Sequence, residues 1–360
     1  MSPTPPFRPG RGALSNPEGR FESRRVTAVD DGWPADPEGA ELPPLETTVT
    51  AEHAKRVITR NDSPDISFEQ SINPYRGCEH GCVYCYARPS HSYINLSPGL
   101  DFETKLFYKA HAAQLLETEL SRPGYVCKPI NLGANTDPYQ PIERKLRVTR
   151  SILEVLQRHR HPVTIVTKSA LVERDLDILA DLARDQLVSA FVSITTLDAA
   201  LKRKLEPRAP SPAARLHAVR ALRDAGVPVG VFVAPVIPAV TDHEIERILE
   251  AAAQAGAQTA GYVLIRLPYE VKDLFREWLD AHLPERAEHV MSLIRATRNG
   301  RENDARFGSR MRGEGAYAEL IGRRFETACR RLGLVRQRES RLSTQHFRPF
   351  LSAGNQLTLL

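Results

Sequence analysis

Short apolar runs rich in β-branched residues alternate with amphipathic stretches from about residue 64 onward. Runs of this kind are typical of buried strands, and the stretches between them have the period of a helix. Six strands are predicted, at 66–73, 129–136, 163–168, 187–196, 227–235 and 259–267. The alternation of strand and helix indicates βαβ units and therefore a parallel sheet.

Helices are predicted after each strand, at 103–121, 143–159, 171–185, 212–225, 241–255 and 270–282. Gly226 and Gly256 follow two of them, where a left-handed C-terminal cap is common. Six βα units are too few to close an eight-stranded barrel. We therefore expect an α/β fold, a partial (βα)6 TIM-type barrel, although an open doubly wound sheet shows the same alternation. In either fold the ligand site lies at the carboxyl ends of the strands.

The two ends of the chain lack this alternation. The first 44 residues hold nine of the 27 prolines and show no sustained apolar period, which predicts an irregular N-terminal arm. After Leu283 the pattern changes to two helical stretches, 285–297 and 315–332, joined by a loop rich in arginine and glycine. The expected parts are an arm over 1–63, a core domain over 64–283 and a helical extension over 284–360.

Positive charge is concentrated in the C-terminal extension. The chain has a net charge of +5, whereas 284–360 alone carry 15 arginines, no lysine and eight acidic residues. Such an excess suits a nucleic-acid surface or a helical surface with many salt bridges. No run of 18 apolar residues occurs, and the N-terminus lacks an apolar signal segment, so a cytoplasmic protein without a membrane partner is expected.

Three of the five cysteines, Cys78, Cys82 and Cys85, lie within eight residues directly after the first predicted strand. An odd number of cysteines with this crowding suits metal binding in a reducing compartment better than disulfide bonding. Three thiolates this close can surround one face of an iron–sulfur cluster. They leave one iron with an open position, as a reactive site requires.

A structural zinc site is the alternative interpretation of these cysteines. It requires a fourth ligand, for which His80, His91 and Cys127 are available in the sequence. No second C-x2-C or H-x3-H pair follows, and zinc sites usually combine two such pairs. Gly77 and Gly81 relieve the crowding of a tightly wrapped loop. The spacing therefore favours the cluster.

The cysteine motif resembles that of the radical S-adenosylmethionine (SAM) superfamily, which has an aromatic residue before the last cysteine, here Tyr84. A narrower resemblance, to the branch related to spore photoproduct lyase, is carried by GCEHGCVYCYARPSH, ANTDPYQPIE, VTKSALVERD, LEPRAPSPAARL and VAPVIPAVTDHE. The resemblance implies that Cys78, Cys82 and Cys85 hold a [4Fe-4S] cluster. The fourth iron would bind SAM, and an electron from an external flavodoxin- or ferredoxin-type donor would cleave SAM to a 5′-deoxyadenosyl radical.

The same resemblance implies SAM-binding roles for residues near the strand ends. Tyr84 lies where the superfamily contacts the adenine. Asn135, Thr136 and Asp137 match the position that reaches the SAM amino group, a task that suits short polar side chains. An Asx turn before Pro138 is the structural alternative for these three residues.

Further SAM contacts are implied on later strands and in one loop. Lys168 closes the third strand and is placed to pair with the SAM carboxylate as a point charge. Ser193 and Thr195 alternate along the fourth strand and share one face, which offers their hydroxyls to SAM. Arg208 and Arg215 both lie in the stretch where the family places an arginine at the SAM carboxylate, and the sequence does not distinguish them.

The resemblance weakens at the residue that quenches the substrate radical. Spore photoproduct lyase uses a cysteine near the end of the second strand, and Asn135 stands at that position here. Thymine-dimer repair by the same mechanism is therefore disfavoured, with Tyr86 or Tyr139 as alternative hydrogen donors. Trp33, Tyr317 and the loop 306–312 are candidate substrate contacts.

Three functions remain open at this stage. The first is a radical SAM enzyme that acts on nucleic acid, in keeping with the basic C-terminal extension. The second is the same chemistry on a protein, a peptide or a small metabolite. The third is a non-catalytic iron–sulfur or zinc protein that serves as a binding module.

Overall fold

The strands of the protein form two sheets in the computed structural model, which describes residues 10–21, 45–336 and 342–349. The strands are β1 (Thr48–Glu52), β2 (Thr59–Arg60), β3 (Gln70–Ile72), β4 (Tyr75–Arg76), β5 (Lys105–Lys109), β6 (Ile130–Leu132), β7 (Val163–Thr167), β8 (Val188–Ser193), β9 (Val229–Val236), β10 (Thr259–Leu264) and β11 (Val335–Arg336).

The helices surround the larger sheet. They are α1 (Asp101–Thr104), α2 (Ala112–Leu120), α3 (Glu143–Leu146), α4 (Val148–Arg158), α5 (Leu176–Arg184), α6 (Ala199–Leu205), α7 (Pro212–Asp224), α8 (Ile245–Gln254), α9 (Val271–His282), α10 (Ala287–Ala296), α11 (Ser309–Arg312) and α12 (Ala316–Leu332). Short 3-10 helices span Arg88–Ile94, Ala170–Asp175, Asp242–Glu244 and Pro284–Arg286. No helix of the described residues combines the length and apolarity needed to cross a membrane.

The larger sheet has eight strands in the order β11-β10-β9-β8-β7-β6-β3-β2. The six strands from β3 to β10 in this order pair in parallel, and β2 adds an antiparallel edge. Helices connect successive parallel strands. Because β2 and β11 end the strand order, the barrel stays open, and the predicted partial (βα)6 barrel is confirmed.

Side-chain size on the two faces of the sheet explains where the core lies. The outward face carries buried valine, isoleucine and leucine, which pack against the helices in one large apolar cluster. On the inner face Phe191 and Phe232 lie with their ring centroids 4.9 Å apart. A Cβ atom at Gly230 would lie 2.4 Å from the Phe191 ring, and one at Gly261 would lie 2.5 Å from Phe232. These glycines therefore make room for the two rings inside the barrel.

The predicted helix over 103–121 is wrong in its first half. Lys105–Lys109 form β5, which pairs in parallel with β1 and antiparallel with β4, and the helix α2 begins only at Ala112. The sequence LFYK alternates large side chains, which suits a strand. Its partner β1 lies in the segment expected to be irregular, so the local pattern gave no sign of the pairing.

Several other predicted helices begin or end differently from their expected bounds. The helix over 143–159 breaks at Arg147, which has a φ of 55°, into α3 and α4. The helix α6 between β8 and α7 was not predicted, and Asp198 caps it by accepting from the amides of Ala200 and Leu201. Gly226 and Gly256 have φ angles of 77° and 102°, as the predicted helix caps require.

The C-terminal extension contains helices, as expected, but it also contributes to the sheet. The strand β11 follows α12 and pairs in parallel with β10. The segment 342–349 returns to the core, where Phe347 packs on Tyr125 and His161 at centroid distances of 5.4 Å. The described segment 342–349 therefore packs against the barrel.

Candidate active site

Cys78, Cys82 and Cys85 lie in a loop that follows β4, which we call the cysteine loop (residues 77–87). Backbone hydrogen bonds attach it to two other segments: the Cys78 amide donates to Phe102 O at 2.9 Å, and the Val83 amide to Leu205 O at 3.2 Å. The thiols of Cys78 and Cys82 are buried, that of Cys85 is partly buried, and all three are free. The loop thus presents three reduced thiols at the carboxyl end of the barrel.

The residues present fit an iron–sulfur cluster. Burial raises the pKa of all three thiols, that of Cys82 to about 12, because the surroundings do not compensate thiolate charge. The iron atoms of a cluster would supply the positive charge that compensates the thiolates. Cluster binding would therefore release the thiol protons. Gly77 and Gly81 have φ angles of 78° and 67°. These left-handed conformations let the loop turn tightly and suit glycine.

The two histidines proposed as zinc ligands are engaged elsewhere. His80 lies 3.4 Å from Asp137, and His91 is hydrogen-bonded to Lys105 O at 3.0 Å. Across the described ranges, no three His, Cys, Asp or Glu side chains gather closely enough to bind a single metal ion. In an iron–sulfur cluster each thiolate binds a separate iron atom, so the ligands need not converge on one point.

Two buried side chains hold the cysteine loop in shape. Gln140 accepts from the Glu79 amide at 2.9 Å and donates to Gly77 O at 3.0 Å, which joins two parts of the loop. The carboxylate of Glu103 accepts from Arg88, whose guanidinium also donates to Cys82 O at 2.9 Å. The loop geometry is therefore set by contacts that are distant in sequence.

The N-terminal arm covers the outside of the cysteine loop. The amides of Gly12 and Ala13 donate to the Glu103 carboxylate at 2.9 and 2.8 Å, and Arg11 donates to Glu103 O at 3.0 Å. A Cβ atom at Gly12 would lie 1.7 Å from Gly81 O, so only glycine permits this approach. The arm thus shields the loop from solvent on this side.

Glu206 is the centre of a buried polar network beside the cysteine loop. Its carboxylate accepts from Thr195 Oγ1 at 2.7 Å, from Tyr84 and from Arg215, and Lys168 Nζ lies 3.1 Å away. These partners come from the end of β7, the residues after β8, the cysteine loop and α7. Together with the end of α6, which carries Glu206 itself, five segments therefore meet at one carboxylate.

The charges of this network balance each other. Burial works to raise the pKa of Glu206, but Arg215 and then Lys168 outweigh it and hold the pKa well below its ordinary value. Burial also disfavours the cation of Arg215, but the charge of Glu206 outweighs burial. The pKa of Arg215 is therefore raised. Lys168 also donates to Ala234 O at 3.0 Å. The network thus keeps Glu206 and Arg215 ionised inside the protein.

Asn135, Thr136 and Asp137 follow β6 but point to different partners. Asp137 accepts from Thr167 Oγ1 and the Lys168 amide, both at 2.7 Å, and Thr136 donates to Tyr75 O at 2.9 Å. Burial works to raise the pKa of Asp137, but His80 and these donors lower it. Among the described residues the side-chain amide of Asn135 makes no hydrogen bond.

Ser193 and Thr195 also differ in their engagement. Thr195 Oγ1 belongs to the network of Glu206 and also lies 3.0 Å from Ala234 O. Ser193 accepts from Arg215 only through its carbonyl oxygen, at 3.0 Å, and its hydroxyl has no partner within the described ranges. The open polar groups near the cysteine loop therefore include Ser193 Oγ and the Asn135 amide.

The structure separates the two arginines that the sequence left equivalent. Arg215 is buried in the network of Glu206. Arg208 has 38% of its side chain exposed and pairs with Glu79 at 3.2 Å. It borders an outer cavity of about 700 Å³ together with His80 and Arg144. Arg215 therefore lies with the other predicted SAM contacts, and Arg208 does not.

Sequence reasoning gave no role to Glu103, Gln140 and Glu206, which shape this site, and considered His80 only as a zinc ligand. Glu206 was quoted within LEPRAPSPAARL, yet only the arginines of that stretch received a role. The available signal is a carboxylate in a segment with apolar neighbours, which burial makes costly unless it is paired. The other three act through contacts over long sequence distances, for which the sequence carries no local signal.

The sequence profile of the radical SAM superfamily matches residues 72–252. This chain belongs to the radical SAM superfamily. The matched range contains the cysteine loop and most of the six parallel strands.

Relatives and solved structures agree with this assignment. An uncharacterised protein from Mycobacterium tuberculosis is 37% identical over 232 residues, covering 64% of this chain and 68% of the relative. One from Methanocaldococcus jannaschii is 27% identical over 237 residues, covering 66% and 84%. A spore photoproduct lyase structure superposes with a TM-score of 0.56 at 15% identity, over 89% of this chain and 88% of that chain. A spore photoproduct lyase structure complexed with dinucleoside spore photoproduct superposes with a TM-score of 0.54, also at 15% identity, over 81% of this chain and 82% of that chain. At this identity the likeness shows the fold.

Proposed function

We propose that this protein is an enzyme that holds one [4Fe-4S] cluster on Cys78, Cys82 and Cys85 and uses it to cleave SAM reductively. The observation that carries the proposal is the position of three free, buried thiols next to a polar network at the carboxyl ends of the parallel strands. When bound, the cluster would deliver an electron to SAM and release methionine and the 5′-deoxyadenosyl radical. A flavodoxin- or ferredoxin-type protein would supply the electron.

The protein residues would divide the work of binding SAM. Asn135 and Ser193 have open polar groups and would contact SAM directly. Lys168, which keeps part of its surface exposed, would pair with the SAM carboxylate. Arg215 and Glu206 are fully engaged with each other and would act as positioning residues that fix the strand ends. Superfamily membership supports this reading, and no ligand contact is required of Arg208.

The proposed layout assigns the chemistry to a core domain over 64–283. The arm over 1–63 would protect the cysteine loop, and the extension over 284–360 would line the open side of the barrel. Part of the positive charge of the extension is paired. Within the described residues Arg306 pairs with Asp304 at 2.8 Å, and Arg324 pairs with Glu246 at 2.6 Å. A general basic surface for nucleic acid is therefore not the basis of the proposal.

The deciding experiment measures 5′-deoxyadenosine formation from SAM by anaerobically reconstituted, dithionite-reduced protein. We expect product from the wild-type protein and from Cys127→Ala, a control at a cysteine outside the loop. The Cys82→Ala variant should produce at least about 100-fold less, because a cluster ligand is missing. Iron should measure about four atoms per chain. Wild-type protein with an intact cluster that neither binds nor cleaves SAM would overturn the proposal in favour of a non-catalytic iron–sulfur protein.

A further inference from the structure

Arg266 is a partly buried arginine without an acidic partner, two residues beyond the end of β10. Its Nε atom is buried and makes no hydrogen bond, and NH1 meets only Met311 Sδ at 3.8 Å. Among the described residues no Asp or Glu forms an ion pair with it. The guanidinium of Arg266 therefore has unused hydrogen-bonding capacity.

The groups around Arg266 do not neutralise it. Arg310 lies nearby and adds to burial in lowering the pKa of Arg266. The carboxylate of Asp65 is occupied by Arg310 Nε at 2.5 Å and by the Gly308 amide at 2.7 Å. Arg298, also close, donates to backbone carbonyls, including Ile265 O at 2.8 Å. Arg266 therefore shares the charge of Asp65 with Arg310, and the positive charge left over favours binding of an anion.

Arg266 also lies next to the cysteine loop. Its guanidinium carbon is 5.4 Å from the ring centroid of Tyr86, the residue after Cys85. The Tyr86 hydroxyl donates to Ala134 O, beyond the end of β6. Tyr86 is nevertheless 46% exposed, so part of its side chain is accessible from solvent. An arginine and an accessible aromatic ring thus meet where the radical would form.

We propose that Arg266 and Tyr86 form a nucleotide-binding subsite for the substrate, in which the guanidinium binds a phosphate and the tyrosine ring stacks on a base. Arginine matches phosphate through two parallel hydrogen bonds, and aromatic rings stack on any base. This inference rests on the proposed function, because it places the substrate beside the cluster. It assigns the substrate to nucleotides or nucleic acid. Recognition would depend on these two residues and would not require a basic surface.

The test uses cluster-loaded full-length protein and a fluorescein-labelled single-stranded DNA of ten nucleotides. Fluorescence anisotropy gives Kd over a series of salt concentrations for wild type, Arg266→Gln, Arg266→Lys and the control Arg220→Gln. Arg220 is an exposed arginine on α7. We expect Arg266→Gln to weaken binding about tenfold and to reduce the salt slope by about 0.7, the loss of one phosphate contact to a single strand. The Kd of Arg266→Lys should lie between the values for wild type and Arg266→Gln. The Kd of Arg220→Gln should match that of wild type.

Competitors identify which part of the ligand is recognised. An abasic oligonucleotide should compete less well than a normal one, since it lacks the base, and inorganic tripolyphosphate should compete by its phosphates alone. Equal Kd values for Arg266→Gln and Arg220→Gln, or no DNA binding by wild type, would overturn the subsite. Preferential competition by a glutamate-rich peptide would point to an acidic protein substrate instead. Iron content and thermal midpoint show that the variants are folded, and wild-type SAM cleavage tests the proposed function separately.

Discussion

Glu206 and Arg215 illustrate how single residues of this site depend on each other. Both side chains are buried, and each favours the charged form of the other. Buried ion pairs of this kind add little net stability compared with apolar residues, yet removal of one partner leaves an uncompensated charge in the interior. The pair is therefore better understood as a device for orienting strand ends than as a source of stability.

Replacement of Glu206 by Gln should destabilise the metal-free protein by about 3 kcal/mol, because Arg215 and Lys168 lose their counter-charge. Urea unfolding of the reduced, metal-free chain measures this change. Glu246→Gln is the control, since Glu246 pairs with Arg324 at 2.6 Å on a partly exposed surface. That variant should lose less than about 1 kcal/mol. Equal losses in the two variants would contradict the role of Glu206.

His161 predicts a pH dependence of stability. Burial lowers its pKa from 6.5 to about 4 in the folded protein. As the pH falls below about 6.5, the unfolded chain takes up a proton that the folded chain refuses, so stability is full above this pH and is lost toward pH 4. The loss from this residue should reach about 2 kcal/mol at pH 5.

Urea midpoints at pH 7.5 and 5.0 test this expectation. His161→Gln should reduce the difference between the two midpoints, and His243→Gln, at an exposed histidine, should leave it unchanged. Part of the difference between the two midpoints should persist in His161→Gln, because burial also lowers the pKa of His91 to about 4. An unchanged slope in His161→Gln would show that this ring is protonated at higher pH than its burial implies.

At the scale of elements, the N-terminal arm and the cysteine loop behave as one unit. The arm crosses the loop at Gly12, whose contact with Gly81 leaves no room for a side chain. Its two amides bind the same Glu103 carboxylate that positions Arg88 under the loop. A change in the arm should therefore reach the cysteines.

Gly12→Ala should displace the arm and accelerate loss of the cluster in air several-fold, while destabilising the protein by about 2 kcal/mol through the two lost charged hydrogen bonds. Decay of the visible iron–sulfur absorbance measures the first effect. Gly322→Ala is the comparison, since a Cβ atom there meets Tyr262 OH at 3.1 Å and leaves the arm in place. Equal decay rates would show that the arm does not protect the loop.

Which elements the sequence predicted depends on where their partners lie. The six barrel strands lie in short apolar runs, and their burial on both faces is visible in the sequence. The strand β5 is stabilised by β1, over 50 residues earlier in a proline-rich region. Helical and extended patterns overlap in such a short segment, so only the pairing decides between them.

For the whole molecule, the open barrel is bridged by the C-terminal extension. The loop before α11 reaches from the β10 side of the sheet to the segment between β2 and β3, where Arg310 and the Gly308 amide bind Asp65. These contacts join segments more than 240 residues apart in sequence. The extension therefore restricts access to the open side, next to Arg266 and Tyr86.

Asp65→Ala should release this loop without unfolding the core. Cleavage by trypsin within 298–313 should become several-fold faster, because the arginines of the freed loop gain access to the protease. Glu319→Ala is the matched control, as Glu319 makes only an exposed contact with Arg323 at 3.8 Å. Unchanged cleavage in Asp65→Ala would mean that other contacts hold the loop.

The sequence by itself determined the cysteine spacing, the parallel α/β architecture and the set of polar residues at the strand ends. These features depend on local spacing and hydrophobic periodicity, which a linear sequence contains. Only the tertiary structure selected Arg215 over Arg208, made Glu206 the centre of the network and left Arg266 without an acidic partner among the described residues. Each of these outcomes depends on which side chains meet across distant segments, and burial then sets the cost of every charge that remains unpaired.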